Sequence, residues 1–410
     1  MITIYSRLLR RPSALGQAVL VSLAALVVGC GGDPASTTSG SGGSNAGGAT
    51  ASTGGAGSAV GGGGSTSSTG GGGVGGAGQE GGFGPVADCG ASVLSDAASQ
   101  LVAGSFVELS MSGYDSALLD AGSSHHILQY SDKGVWDPNT CQALFVGGGH
   151  LSQVKYIAYR GSDNTWFHAP NPSWWCDTSQ ASNPYDCASH AYGHNALDPA
   201  TGTLFFRLFN RADIYRHQVD GILDGVWDDA PALPSTPAGC IATALEYFPE
   251  MDKLVYVDCA GQDAYVLGPT DGSWQVIDGP FSMGAYHNYA VYNRIEQTVM
   301  FGAGNGSGAF HLLRANGSVT PTAVAPHDFH PEAQGSDLKI LTVDPAGGDY
   351  LAYARNGEMW RYDVGTDSWS ALSVSAPTDL NVAIPISSYN VVMFLQQAPA
   401  KVWLYKHSGP

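Results

Sequence analysis

From about position 100 onward, apolar residues fall into short runs separated by turn residues, and the runs recur as a unit about every 40 to 60 residues. Each unit reads as an apolar strand, a turn, a second strand often ending in Gly, and a third strand. A further turn then leads into a strand that carries Trp. That last turn is the clearest landmark: Asp163-Asn164-Thr165-Trp166, Asp224-Gly225-Val226-Trp227, Asp271-Gly272-Ser273-Trp274 and Thr366-Asp367-Ser368-Trp369. Ala315-Asn316-Gly317-Ser318 fills the same slot without its Trp. Asp or Asn beside Gly is the chemistry of tight hairpins that need positive φ.

The first strands of successive units are predicted near His126, His190, Ile241, Tyr286, Leu338 and Leu380. The last unit runs out after Val402-Trp403-Leu404-Tyr405, one strand short, while Ser105-Phe106-Val107-Glu108-Leu109 has strand character and no partner of its own. Pairing the two would close a ring and remove the open edges that invite aggregation. Helical spacing is confined to Val93–Val102, expected outside the ring. The expected fold is therefore all-β: a single β-propeller of about six four-stranded blades, closed by the N-terminal strand. A β-sandwich also has short strands and Gly-rich turns, but does not explain a recurring Asp-turn-Trp unit.

The N-terminal region differs in kind. Arg7, Arg10 and Arg11 precede an apolar run from Ala18 to Val28 and then Gly29-Cys30, the parts of an export signal and too short a run to span a bilayer. From Gly31 to Gly84 the composition collapses to Gly, Ser, Thr and Ala, which cannot bury enough apolar surface to offset its ordering entropy. The expected organisation is a signal over residues 1–29, a tether over 30–84 spanning roughly 40 Å root-mean-square, and the propeller over 85–410. The formal charge of −18 becomes more negative still once the three arginines of the signal leave. Such acidity argues against nucleic-acid partners and, mildly, against polyanions unless cationic groups are concentrated in one cleft.

Seven cysteines are present. With Cys30 set aside, an even number in an exported chain suggests disulfides. Cys176 with Cys187 and Cys240 with Cys259 would each close a short loop or hairpin, leaving Cys89 with Cys141; six cysteines allow fifteen pairings, so the sequence leaves this open.

Two resemblances follow from these residues. Val27-Val28-Gly29-Cys30 resembles the lipobox of bacterial lipoproteins, which implies lipidation of Cys30 and attachment to a membrane through that lipid alone; Gly31 favours the outer membrane, with the facing side open. Val146-Gly147-Gly148-Gly149-His150 and Ala196-Leu197-Asp198-Pro199-Ala200-Thr201-Gly202 resemble bacterial kelch and galactose-oxidase-like propellers over most of residues 100 to 407. That likeness speaks to fold and little to function.

Histidines gather where loops would line one end of a propeller channel: His125, His126 and His150 in the first unit, His190 and His194 with Tyr192 in the second, Tyr286, His287 and Tyr289 in the fourth, His327 and His330 before the fifth. Placed on a strand, His190, Tyr192 and His194 would share one face. His126, His150, Tyr192, Arg207 and Tyr247 resemble, in order and approximate spacing, the active-site set of the propeller ulvan lyases. That resemblance implies cleavage of a uronate polysaccharide by β-elimination. Arg207 would hold and neutralise the uronate carboxylate, and His126 or His150 would act as base or as a further donor. Tyr192 would be the base or protonate the leaving oxygen, with Tyr247 assisting; Phe248-Pro249 aligns with Asp198-Pro199 at a hairpin turn, which makes Tyr286 a possible replacement. His194 and Tyr286 are the further substrate-binding candidates. Trp174 and Trp175 in Pro170-Asn171-Pro172-Ser173-Trp174-Trp175 would offer a stacking platform for sugar rings.

No metal or other cofactor is expected. His168, Cys176, Cys187 and His190 do not form a recognised zinc spacing, and each Cys has a plausible disulfide role, which leaves none for a copper centre of the galactose-oxidase kind. The expected partner is carbohydrate, the expected state monomeric. The alternative is a non-catalytic glycan- or protein-binding propeller on the cell envelope.

Overall fold

The computed structural model describes residues 89–120, 126–149, 154–172, 190–209, 212–233, 243–258, 262–268, 271–284, 286–330 and 337–408. These form six four-stranded antiparallel sheets arranged as a six-bladed β-propeller. Blade 1 runs outward from the axis as Val135–Asp137, Gln142–Gly147, Lys155–Arg160 and Thr165–Ala169. The inner strands of blades 2 to 6 are Asn195–Asp198, Ala244–Phe248, Tyr289–Asn293, Leu338–Val343 and Leu380–Ile386. Blade 6 takes its outermost strand from the N-terminal side: Ser105–Glu108 pairs antiparallel with Lys401–Lys406, Ser105 opposite Lys406 and Glu108 opposite Trp403.

The turns behave as their residues dictate. Asn164, Gly225, Gly317 and Asp367, each in the turn before an outer strand, have φ of 53°, 65°, 82° and 48°. The Trp that follows ties blades together: Trp274 Nε1 donates to the carbonyl of Ala232 at 2.9 Å and Trp369 Nε1 to that of Ala323 at 3.0 Å, each in the segment after the preceding blade. At the inner hairpins, Asp137, Asp198, Asn293 and Asp344 accept from the backbone N–H two residues on, at 2.9–3.2 Å. These Asx turns satisfy amides that the hairpin would otherwise leave unpaired.

The helix Val93–Gln100, capped by Ser92, lies outside the ring and buries Leu94 and Ala98 in the cluster that includes Ile157, Ile384 and Leu404 of blades 1 and 6. Cys89 and Cys141 form a disulfide with Cα atoms 5.6 Å apart, fastening this segment to the first hairpin of blade 1. Cys30, Cys176, Cys187, Cys240 and Cys259 lie outside the described residues. A second short helix, Ser116–Leu119, was not foreseen; Asp115 caps it through the N–H groups of Ala117 and Leu118.

The inner strands of blades 5 and 6 begin where expected. Those of blades 1 to 4 begin later, at Val135, Asn195, Ala244 and Tyr289. In three of these the preceding residues include a left-handed backbone, Tyr130 at φ 55°, Tyr192 at 32° and His287 at 59°. A pleated strand cannot accommodate that angle, so the chain loops across the channel mouth before pairing starts.

Candidate functional site

His190, Tyr192 and His194 therefore do not share a strand face. They occupy the loop entering blade 2, yet the loop still brings them together. Tyr192 Oη lies 2.9 Å from His190 Nδ1, and the Tyr192 ring is 5.3 Å from that of His190 and 5.5 Å from that of His194. His190 is sandwiched by Tyr130 at 4.6 Å and Phe209 at 4.2 Å. The Tyr192 N–H donates to the Tyr130 carbonyl at 2.7 Å, which pins the loop to blade 1.

Arg207 ends the second strand of blade 2, Thr203–Arg207, at the same channel mouth. Its Nη1 lies 3.2 Å from His194 Nε2 and donates to Thr243 Oγ1 at 2.5 Å, and its guanidinium carbon sits 5.7 Å from the centre of the Tyr256 ring. An Arg only donates, so His194 Nε2 is the acceptor and the imidazole is neutral with its proton on Nδ1. Burial, and then the charge of Arg207, hold His194 well below the usual His pKa. Arg207 is 0% exposed. The expectation that its fork grips a substrate carboxylate directly does not fit this enclosure, in which Arg207 instead meets His194, Thr243 and the Tyr256 ring.

The cluster continues across the axis. His287, in the loop entering blade 4, places its ring 4.8 Å from Tyr192 and 4.8 Å from His330 of the loop entering blade 5. His287 Nδ1 is 2.6 Å from Asn305 Oδ1 and donates to it, while burial lowers its pKa to about 4. Tyr286 is half-buried beside it, rings 6.4 Å apart. His126 begins the turn that leads to Tyr130, with its carbonyl against Gly149 at the end of the second strand of blade 1. His150, Trp174 and Trp175 lie outside the described residues.

Tyr247 does not join this belt. It lies in the inner strand of blade 3, its hydroxyl donates to Asp252 Oδ1 in the following turn, and burial raises its pKa. That turn is at the opposite end of the channel, as its alignment with Asp198-Pro199 implied. Tyr130, Phe209, Thr243 and Asn305 went unforeseen: the aromatics look like core residues, and Gly304-Asn305-Gly306 reads as an ordinary hairpin turn.

Below the belt a charged crossbar spans the channel. Lys133 Nζ, from the approach to blade 1, donates to the carbonyls of Leu245 at 2.7 Å in blade 3 and Ala290 at 3.1 Å in blade 4, and pairs with Glu246 at 3.3 Å. Asp132 beside it is raised by burial to about 7, against the pull of Lys133 and Lys339. Among the described residues no group of three or more His, Cys, Asp and Glu is placed to hold a metal ion.

No protein-family model matches the chain, and no curated protein does. Solved structures similar to it include a nidogen/laminin complex (10% identity, TM-score 0.43, covering 62% of this chain and 85% of that one). Another is a structural-genomics protein of unknown function from Bacteroides thetaiotaomicron VPI-5482 (11% identity, TM-score 0.46, covering 75% and 73%). A third is a mitotic checkpoint complex (8% identity, TM-score 0.44, covering 68% and 88%). At such identities no activity or partner carries over to this chain.

Proposed function

We propose that the propeller acts on a uronate-containing polysaccharide at the channel mouth formed by the loops entering blades 1, 2, 4 and 5, by β-elimination. The observation that carries this reading is the Tyr192 Oη to His190 Nδ1 hydrogen bond, with the neutral His194 and the charge of Arg207 directly behind it. With its proton on Nε2, His190 can take the phenolic proton as Tyr192 removes the proton alpha to the uronate carboxylate. The electron pair left behind forms the new carbon–carbon double bond and expels the glycosidic oxygen, which is protonated by the Tyr192–His190 couple. Arg207 is then a positioning residue, biasing the His194 tautomer and the local potential rather than touching substrate. The same proposal includes export and attachment to the cell envelope, which the basic and apolar pattern of residues 7–28 and Cys30 support.

A second reading, a non-catalytic glycan- or protein-binding propeller, is favoured by one observation: Arg207 and His194 have no exposed surface and His190 and Tyr192 are only 2% and 4% exposed, so these groups present little surface to a substrate. The test incubates purified protein with ulvan, alginate, pectate and glycosaminoglycans and follows the ultraviolet absorbance of an unsaturated uronate product. The lyase reading expects a rise that Tyr192→Phe abolishes and Arg207→Ala lowers by about 100-fold or more, as loss of preorganised charge does elsewhere. Retention of a polysaccharide without product selects the binding reading. Neither product nor retention, with folded protein, overturns both.

A further inference from the structure

The channel mouth on the far side of the Lys133 crossbar opens into a cavity of about 420 Å³, within the roughly 300–1,000 Å³ usual for small-ligand sites. The repeat itself builds the rim. The slot after the turn-capping residues Asp137, Asp198, Asn293 and Asp344, and after their counterparts Phe248 and Ile386, lines the cavity in every blade. Its occupants are Pro138, Pro199, Pro249, Arg294, Pro345 and Ser387 in blades 1 to 6. Four prolines make a rigid apolar collar, since the ring fixes φ and carries no N–H. Arg294 and Ser387 break it, on blades 4 and 6.

The buried polar groups of the lining that have no hydrogen-bond partner lie there. Thr342, on blade 5 between the two breaks, is 2% exposed and its hydroxyl has no hydrogen-bond partner. Arg294 Nε is buried without an acceptor, and Arg294 enters no ion pair among the described residues. By contrast Lys155, Arg160, Lys253, Arg355 and Arg361 each hold a carboxylate. The two acids that line the cavity, Glu246 and Asp344, are occupied elsewhere, while Glu250 behind Tyr292 accepts from the Tyr292 hydroxyl through one oxygen and keeps the other buried without a partner. Glu246 pairs with Lys133 and accepts from the N–H groups of Tyr247 and Tyr292, and Asp344 accepts from those of Ala346 and Gly347. Among the residues that line the cavity, the charge left without an ion pair is that of Arg294, in a chain with 35 acids against 17 bases.

We propose that this mouth binds a small organic anion, a carboxylate or phosphate monoester carried on a ring. Arg294 takes the anionic group through its planar fork. Thr342 and Ser387 meet hydroxyls on the same side, and the prolines of blades 1 to 3 cover the apolar face of the ring. The site goes beyond the lyase reading and does not rest on it, because the two sets of residues lie at opposite ends of the channel.

Isothermal titration of the whole protein with glucuronate, glucose 6-phosphate and benzoate, with glucose as the neutral reference, tests it. At least one anion binds and glucose does not; which anion binds decides between carboxylate and phosphate. Arg294→Gln weakens that binding at least about tenfold, the loss expected when a charge-assisted hydrogen bond goes. Thr342→Val weakens it by a smaller factor, and Tyr192→Phe leaves it unchanged. Wild-type protein that melts cooperatively yet binds none of the anions, glucose binding as tightly as glucuronate, or undiminished binding by Arg294→Gln would each overturn the proposal.

Discussion

Tyr130, Tyr192 and His287 hold left-handed backbones at φ of 55°, 32° and 59° and bring their rings to one channel mouth. Such conformations cost on the order of 1–3 kcal/mol each for non-glycine residues and persist where the surroundings over-determine them, which is common at working sites. His287 adds a titration. Its folded pKa of about 4 lies below the ordinary 6.5, so its contribution to stability is fully present above pH 6.5 and is lost as pH falls toward 4. Asp132 works in the opposite sense, because its carboxyl is raised to about 7: its contribution is full below pH 4 and is lost as pH rises through 7. Comparing wild type with His287→Asn separates the two. In denaturant titrations between pH 4 and 7 the variant should lose less stability toward acid than wild type, the difference between the two growing by up to on the order of 3 kcal/mol across the window; a constant difference would mean that His287 titrates normally. At this scale the sequence was legible in part. It grouped His190, Tyr192 and His194 as one strand face, and Tyr192 with Arg207 through the lyase resemblance, but it did not give their backbone angles. Nor did it show that Arg207 is sealed behind His194, since burial depends on contacts such as Thr243 and Tyr256 that come from another blade.

Among the elements, turns and outer strands read directly from sequence. Asp, Asn, Gly and Trp at fixed offsets encode a positive φ and a ring to pack, and both are local. The starts of inner strands were less legible. Apolar and aromatic residues such as Tyr130 and Tyr192 look alike to a period-two pattern whether they enter a strand or cross the channel mouth. The helix Val93–Gln100 was legible from its spacing, and its anchoring is covalent through Cys89 and Cys141, with a sequence separation of 52. Closing a loop of that length restricts the unfolded chain, so Cys89→Ser with Cys141→Ser should lower unfolding free energy by about 4 kcal/mol by loop entropy. Equal stability of the variant in chemical denaturation would contradict that accounting.

For the whole molecule, pairing Ser105–Glu108 with Lys401–Lys406 turns an open row of blades into a ring, and the ring sets loops from four blades around one mouth. The same geometry separates that mouth from the opposite cavity by the Lys133 crossbar. Polysaccharide at the first mouth and a small anion at the second are thus independent occupancies that one experiment can locate. Hydrogen–deuterium exchange, with and without a uronate oligosaccharide too long for the far cavity, is the most direct test of the assignment of the polysaccharide. The account predicts slowed exchange in peptides covering residues 190–194, 205–209 and 286–288, and none at residues 291–296 or 341–345. Protection confined to the far mouth, or no protection while the oligosaccharide is bound, would contradict it.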